Sequence, residues 1–157
     1  ALQDTAAGLR ATVTELHPQV LAQLGLTAAV RELLRQYQSR HDIDVIADLD
    51  DVGKPQSQSL LYRAARELLT NVAKHARAST VWVDVHRDGD RVVLSVRDDG
   101  SGFDPQQVGN SVAEGHIGLG SLLARFDAMG GAMRIDSTAG SGTRITAVSP
   151  PEHPGGA

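Results

Sequence analysis

The sequence predicts an α+β fold, a two-layer sandwich. A mixed, mostly antiparallel sheet of about five strands would carry three helices on one face, with further helices ahead of it. Three observations lead there. Five short stretches alternate apolar and polar residues with the period of half-buried strands. Longer stretches repeat apolar residues at helical spacing. The strands come as consecutive hairpins with helices between them, and no internal repeat is evident.

Residues 2–17 put Leu2, Ala6, Leu9, Val13 and Leu16 on one helical face, and His17-Pro18 ends that helix because proline drives the preceding residue out of helical geometry. A second helix is expected over about Leu24–Arg40, with Leu26, Val30, Leu33, Leu34 and Tyr37 inward. Asp42–Leu49 reads as a half-buried strand through Ile43, Val45 and Ala47. After a turn over Asp50–Lys54, Pro55 suits the first position of a central helix that runs to about Arg77. Its stripe of Leu61, Ala65, Leu68 and Val72 faces the core. Thr80–His86 and Arg91–Asp98 alternate valine and leucine and are joined by Arg87-Asp88-Gly89-Asp90, a hairpin signal. Residues 99–117 lack any period and are long for a connection inside a compact domain, which points to a functional lid. Leu119–Met129 reads as a helix, Ala132–Ser137 and Thr143–Val148 as strands, and the Pro/Gly-rich tail from Pro150 to Ala157 as frayed and disordered.

The 157 residues suffice for one domain with a real core, and 41% hydrophobic with 22% charged residues is ordinary globular composition. A net charge of −4 leaves no electrostatic footprint for duplex nucleic acid, and 3% aromatics leaves little to stack single-stranded bases on. There is no cysteine, hence no disulfide framework and no thiolate metal site. No apolar run is long enough to span a membrane and no signal peptide is visible. The chain opens without methionine in a helical pattern, and is read here as a piece of something longer.

Four stretches carry chemistry. On the central helix, Glu67, Asn71 and Lys74 stand at i, i+4 and i+7 and so share a face at the flank of the apolar stripe, either as a solvated surface or as the wall of a pocket. Asp98-Asp99-Gly100-Ser101-Gly102 is turn chemistry wherever it occurs; read functionally, Asp98 is an acceptor for a ligand amino group and the glycines let the backbone come close. Gly115-His116-Ile117-Gly118-Leu119-Gly120 opens a helix, whose bare N–H groups and dipole suit an anion. It is neither a Walker loop, which needs Lys-Ser or Lys-Thr after the last glycine, nor the dinucleotide fingerprint, which needs glycine where Leu123 stands. Gly140-Ser141-Gly142-Thr143 introduces the last strand, as a plain turn or with Thr143 at the ligand.

In this order and spacing, the four stretches resemble the N, G1, G2 and G3 boxes of the ATP-binding fold shared by sensor histidine kinases, gyrase-type topoisomerases, Hsp90 chaperones and MutL proteins. The resemblance covers about residues 42–148. Arg66-Glu67 through Lys74-His75-Ala76 looks like the N box of kinases that serve response regulators with a LuxR-type DNA-binding domain, and Leu16-His17-Pro18 with Leu24-Gly25-Leu26 is similar to the segment such kinases place before the ATPase domain. It implies a division into the end of dimerisation and linker helices (1–41), a catalytic domain (42–149) and a tail (150–157). ATP and Mg²⁺ are the implied cofactors. Asp98 would read the adenine amino group, Asn71 would ligate Mg²⁺, and Glu67 would orient or deprotonate the attacking group. Lys74 and His75 would approach the phosphates, Gly100 and Gly102 would allow close approach, and Gly118, Leu119, Gly120 and Thr143 would line the nucleotide. The implied protein is a homodimer anchored in the cell membrane, with this domain in the cytoplasm and monomeric by itself. Its partners would be its own phosphoacceptor domain and a response regulator, with no nucleic acid. Neither His17 nor His41 stands in the context of a phosphoacceptor, so the acceptor helix is expected outside this chain. An anti-sigma-factor-type serine kinase and a non-catalytic nucleotide switch share the fold and stand as alternatives.

Overall fold

The computed structural model describes residues 21–102 and 117–152. Helix α1 spans Leu26–Arg40, strand β1 Asp44–Leu49 and helix α2 Gln58–Asn71, which continues as a π-turn over Val72–Ala76. Strands β2 (Thr80–Asp88) and β3 (Arg91–Asp98) follow, then helix α3 (Ile117–Ala128) and strands β4 (Ala132–Ser137) and β5 (Thr143–Val148). The sheet has five strands in the order β1-β2-β3-β5-β4. Only β1 and β2 are parallel, and α2 supplies the crossover that a parallel pair requires. The other pairs are antiparallel, so the sheet is mixed and mostly antiparallel as the sequence implies.

Register explains which side of the sheet is covered. Val83 of β2 faces Val96 of β3, which in turn faces Ile145 of β5, and all three are buried. Their neighbours two residues along, Val85, Leu94 and Ala147, continue the same face. Leu61, Ala65, Leu68 and Val72 of the central helix pack there with Phe126 and Leu122 of α3, forming one core cluster. The opposite face is mostly polar and more exposed, as an antiparallel sheet permits, although Val93 and Ser95 are buried there. There the Arg97 guanidinium lies 4.0 Å from the centre of the Trp82 ring.

Several boundaries differ from expectation. Gly25 separates residues 21–24, which are helical, from α1, because Leu26 N–H turns to the Gly53 carbonyl. The buried face of α1 joins the same core cluster, although the helix lies on the linker side of the boundary expected at residue 42. Pro55 is not the first residue of α2: its carbonyl accepts from Gln58 N–H in a turn, and the helix starts three residues later than expected. The helix also does not run unchanged to Arg77, since its last turn is π-wound. Of the lid expected over residues 99–117, residues 103–116 lie outside the described residues, as does the first expected helix.

The tail is ordered further than the composition suggests. The Glu152 carboxylate accepts from Gln56 N–H (2.7 Å) and Ser57 N–H (3.3 Å), just ahead of α2. Free N–H groups at a helix start need acceptors, and a negative charge there also meets the positive end of the dipole. Glu152→Ala is expected to lower unfolding free energy by about 1 kcal/mol, read as a lower urea midpoint at unchanged slope.

Candidate functional site

The end of β3, the end of α2 with its π-turn, the first turn of α3 and the start of β5 meet around a cleft of about 280 Å³. Its walls are apolar, from Leu68, Val72, Val96, Leu119 and Ile145. Asn71, His75, Asp98 and Thr143 converge on it with polar groups, the composition of a small-molecule site.

Asp98 is there because β3 alternates. Leu94 and Val96 point to the helical layer, and the next member of that row is a carboxylate. It is only 6% exposed and accepts from Gly100 N–H at 2.8 Å. Burial holds its carboxyl above the usual carboxylate range, and the neighbouring charge of Asp99 adds to this, against the pull of backbone hydrogen bonds from Gly100 and Thr143. Burial likewise pushes the Tyr37 hydroxyl up to about 12, with the Asp98 charge contributing. The site therefore holds a largely buried carboxylate with spare acceptor capacity.

Asp99, the next residue, behaves oppositely. It is exposed and accepts from Thr80 N–H (3.0 Å), Ser79 N–H (2.9 Å) and the Ser79 hydroxyl (2.7 Å). The Thr80 backbone bond, then the Ser79 side-chain bond, hold its carboxyl below the usual range. Sequence reasoning missed this pair, whose only signal was a second aspartate beside the first.

The π-turn decides which N-box side chains reach the cleft. A π-turn closes its bonds i→i+5 and so advances less per residue than an α-helix. Asn71 and His75 stay on the cleft wall, whereas Lys74 swings into a separate groove with Tyr37, Arg40 and Arg66. Of the three residues expected to share a face, Glu67, Asn71 and Lys74, Asn71 alone is among those lining the cleft. Glu67 is half-buried one turn before Asn71 and is not among the residues lining the cleft. The turn ends at Arg77, whose φ of 53° and ψ of 40° put a non-glycine residue in the left-handed region. Such a conformation costs on the order of 1 kcal/mol and persists only where its surroundings enforce it.

Of the glycines, Gly102 lines the cleft and Gly100 does not. A methyl group at Gly142, whose φ is +80°, would overlap the Asp98 carbonyl, so that glycine is required by protein backbone rather than by a ligand. Around Gly120 there is open space, and Leu119 beside it is buried in the core. Gly118 falls in the first turn of α3, while Gly115 and His116 lie outside the described residues. The Thr143 hydroxyl is 2.8 Å from that of Ser137, a partner the sequence did not signal.

No cluster of three or more His, Asp or Glu side chains able to hold a metal occurs among the described residues. Asn71 offers something else: its side-chain nitrogen position is buried without a hydrogen-bond partner among them. Amide oxygen and nitrogen are assigned from partners, so this orphaned amide can as well present oxygen. One neutral oxygen suits Mg²⁺, which takes few protein ligands beside phosphates and water.

A five-stranded mixed sheet under helices, with an inward carboxylate at the end of the central strand, defines a nucleotide-binding ATPase fold. Residues 56–154 match the family model described as histidine kinase-, DNA gyrase B-, and HSP90-like ATPase, and the chain belongs to that family. Membership makes this an ATP-binding domain. The chain is 38% identical over 132 residues to the sensor histidine kinase NarS of Mycobacterium tuberculosis, covering 84% of this chain and 31% of NarS. It is 33% identical over 150 residues to the sensor histidine kinase LiaS of Bacillus subtilis, covering 94% and 41%. It thus spans about a third of the length of the first curated relatives it matches. A histidine kinase domain from a blue-light activated kinase of Erythrobacter litoralis shares the fold at a TM-score of 0.66 and 24% identity, over 80% of this chain and 60% of that one. The mycobacterial sensor histidine kinase MprB aligns at a TM-score of 0.58 and 26% identity, over 78% and 91%.

The two aspartates predict opposite pH behaviour. Asp98 has its folded pKa raised, so its contribution to stability is present below the unfolded value, about 4, and is lost as pH rises through the folded value. Asp99 has its folded pKa lowered, so its contribution is present above about 4 and is lost as pH falls through the folded value. Relative to wild type, Asp98→Asn is therefore expected to gain stability from about pH 3 to about pH 7, and Asp99→Asn to lose it. Urea titrations at both pH values check the two signs.

Proposed function

We propose that this chain is the ATP-binding catalytic domain of a two-component sensor histidine kinase. The catalytic unit runs from α1 to β5, and the residues before it lead in from a dimerisation region. The observation that carries the reading is the buried Asp98 carboxylate, with acceptor capacity to spare, facing the apolar cleft opposite Asn71. The names of the relatives support it.

Asp98 accepts from the adenine amino group, while Leu68, Val72, Val96 and Ile145 sandwich the base. Thr143, Leu119 and Gly102 line the far side, and His75 donates toward the phosphates from the cleft wall; Gly118 and Gly120, in the first turn of α3, would lie along the nucleotide. Asn71 holds Mg²⁺, which supplies charge neutralisation to the phosphates. In the parent protein a histidine imidazole attacks Pγ with a nitrogen lone pair. The N–P bond forms, the bond from Pγ to the β,γ-bridging oxygen breaks, and ADP leaves with the electron pair. Glu67 accepts a hydrogen bond from the second ring nitrogen and takes its proton as the imidazole becomes positive. The phosphoryl group then passes to an aspartate of a response regulator of the LuxR-type class. The parent is a membrane-anchored homodimer; among the described residues no helix is long and apolar enough to cross a membrane.

Titration with a non-hydrolysable ATP analogue and its GTP counterpart tests the base reading. ATP is expected to be preferred, and Asp98→Asn to lose about 10- to 100-fold in affinity, as for a hydrogen bond to a charged acceptor. Unchanged affinity in the variant would overturn the assignment. In the parent protein, Asn71→Ala is expected to weaken Mg²⁺-dependent binding. Glu67→Gln should leave affinity intact and slow single-turnover transfer about 10²–10⁴-fold. A Glu67→Gln variant that loses affinity at normal turnover would move Glu67 to the metal site.

A further inference from the structure

We infer that Gly100 is a positioning residue: its bare Cα seats the Ala76 carbonyl on the Asp98–Ser101 turn, and this seat holds the π-turn in the winding that presents His75 to the cleft. Gly100 is not needed for its own backbone, since it is absent from the positive-φ glycines. It is needed for space, because a Cβ there would overlap the Ala76 carbonyl oxygen and carbon and come too close to the Ala76 side chain. It does not line the cleft, whereas Ala76 and His75 do. The contact that a side chain at Gly100 would disturb is therefore the one with Ala76, beside the bond that Gly100 N–H gives to the Asp98 carboxylate.

The contact is also a hydrogen bond. Ser101 N–H donates to the Ala76 carbonyl at 2.7 Å, satisfying an acceptor at the very end of the π-turn. The same hairpin end grips the chain further on. Asp99 accepts from Ser79 N–H and Thr80 N–H through one carboxylate oxygen and from the Ser79 hydroxyl through the other. Asp99 N–H returns a bond to the Thr80 carbonyl at 3.3 Å. Left-handed Arg77 lies between these two grips. A π-turn and a left-handed residue are both unfavourable alone, and π-turns occur often at functional sites. Here the enforcing structure is the turn that also carries Asp98. Base recognition and the placement of His75 are thereby set by one piece of backbone, and Gly100 is the residue that lets the two meet.

The ligand half of the test rests on the nucleotide reading above; the clamp itself is read without ligand. In the whole apo chain, amide exchange by NMR is expected to show Ser101 N–H protected in wild type and unprotected in Gly100→Ala, with the core still folded. An unprotected Ser101 in wild type overturns the clamp. With an ATP analogue, Gly100→Ala and His75→Gln are each expected to lower affinity about tenfold, and the double variant also about tenfold. The His75 ring resonance, shifted by the analogue in wild type, should not respond in Gly100→Ala. Additive losses, or a normal His75 response, overturn the inference. Where Gly100→Ala fails to fold, Asp99→Asn slackens the same segment, and its smaller loss should likewise be non-additive with His75→Gln; additivity overturns the inference. A wild-type chain that binds no ATP analogue sinks the nucleotide reading alone, because Ser101 exchange still decides the clamp.

Discussion

The cleft depends on one constraint, the close approach of the Ala76 carbonyl to the turn that ends the central strand. β3 sits in the middle of the sheet, bonded to β2 on one side and β5 on the other, so its last residues have little freedom. Ser101 N–H carries that rigidity to the end of α2, and Gly142 presses from β5 on the Asp98 carbonyl. Glycine is required at these approaches because backbone meets backbone there. Around Gly120 nothing crowds the Cα, so no protein contact requires glycine there.

Adjacent aspartates divide two jobs between them because strand alternation sends them to opposite environments. Asp98 points into the helical layer, where burial disfavours its charge; a carboxylate kept there lowers the stability of the empty domain and is compensated only by a donor. Asp99 points out and gathers three donors from the start of β2, which favours its charge. A buried carboxylate that strains the fold is thus next to one that secures it.

The same economy of position appears along the central helix. Its N-terminal end is steadied from far along the chain by Glu152, and its C-terminal end by Ser101. Between them the inward stripe of Leu61, Ala65, Leu68 and Val72 is almost wholly buried. A helix held at both ends and along one face can carry an irregular last turn without losing its place, and that turn sorts His75 to the cleft and Lys74 to the neighbouring groove.

Much of this was legible in the sequence because it rests on local periodicity. β4 and β5 fall where alternation placed them, and β2 and β3 within two residues. The inward carboxylate of Asp98 follows from counting along β3, and the central-helix stretch with the three glycine-bearing ones identified the family. The winding of residues 72–76 was not legible, since a π-turn has the same composition as the helix it interrupts and is held by a hydrogen bond to a distant turn. For the same reason the sequence offered Lys74 and His75 as equals. The capping carboxylate of Glu152, inside a tail that composition marks as frayed, was hidden likewise. What the sequence determined by itself were the elements, their faces and the identity of the boxes, because apolar spacing and backbone chemistry act between near neighbours. Which N-box side chain meets the cleft, and which glycines serve the protein rather than a ligand, was decided only by tertiary structure, because both depend on where one backbone lies against another.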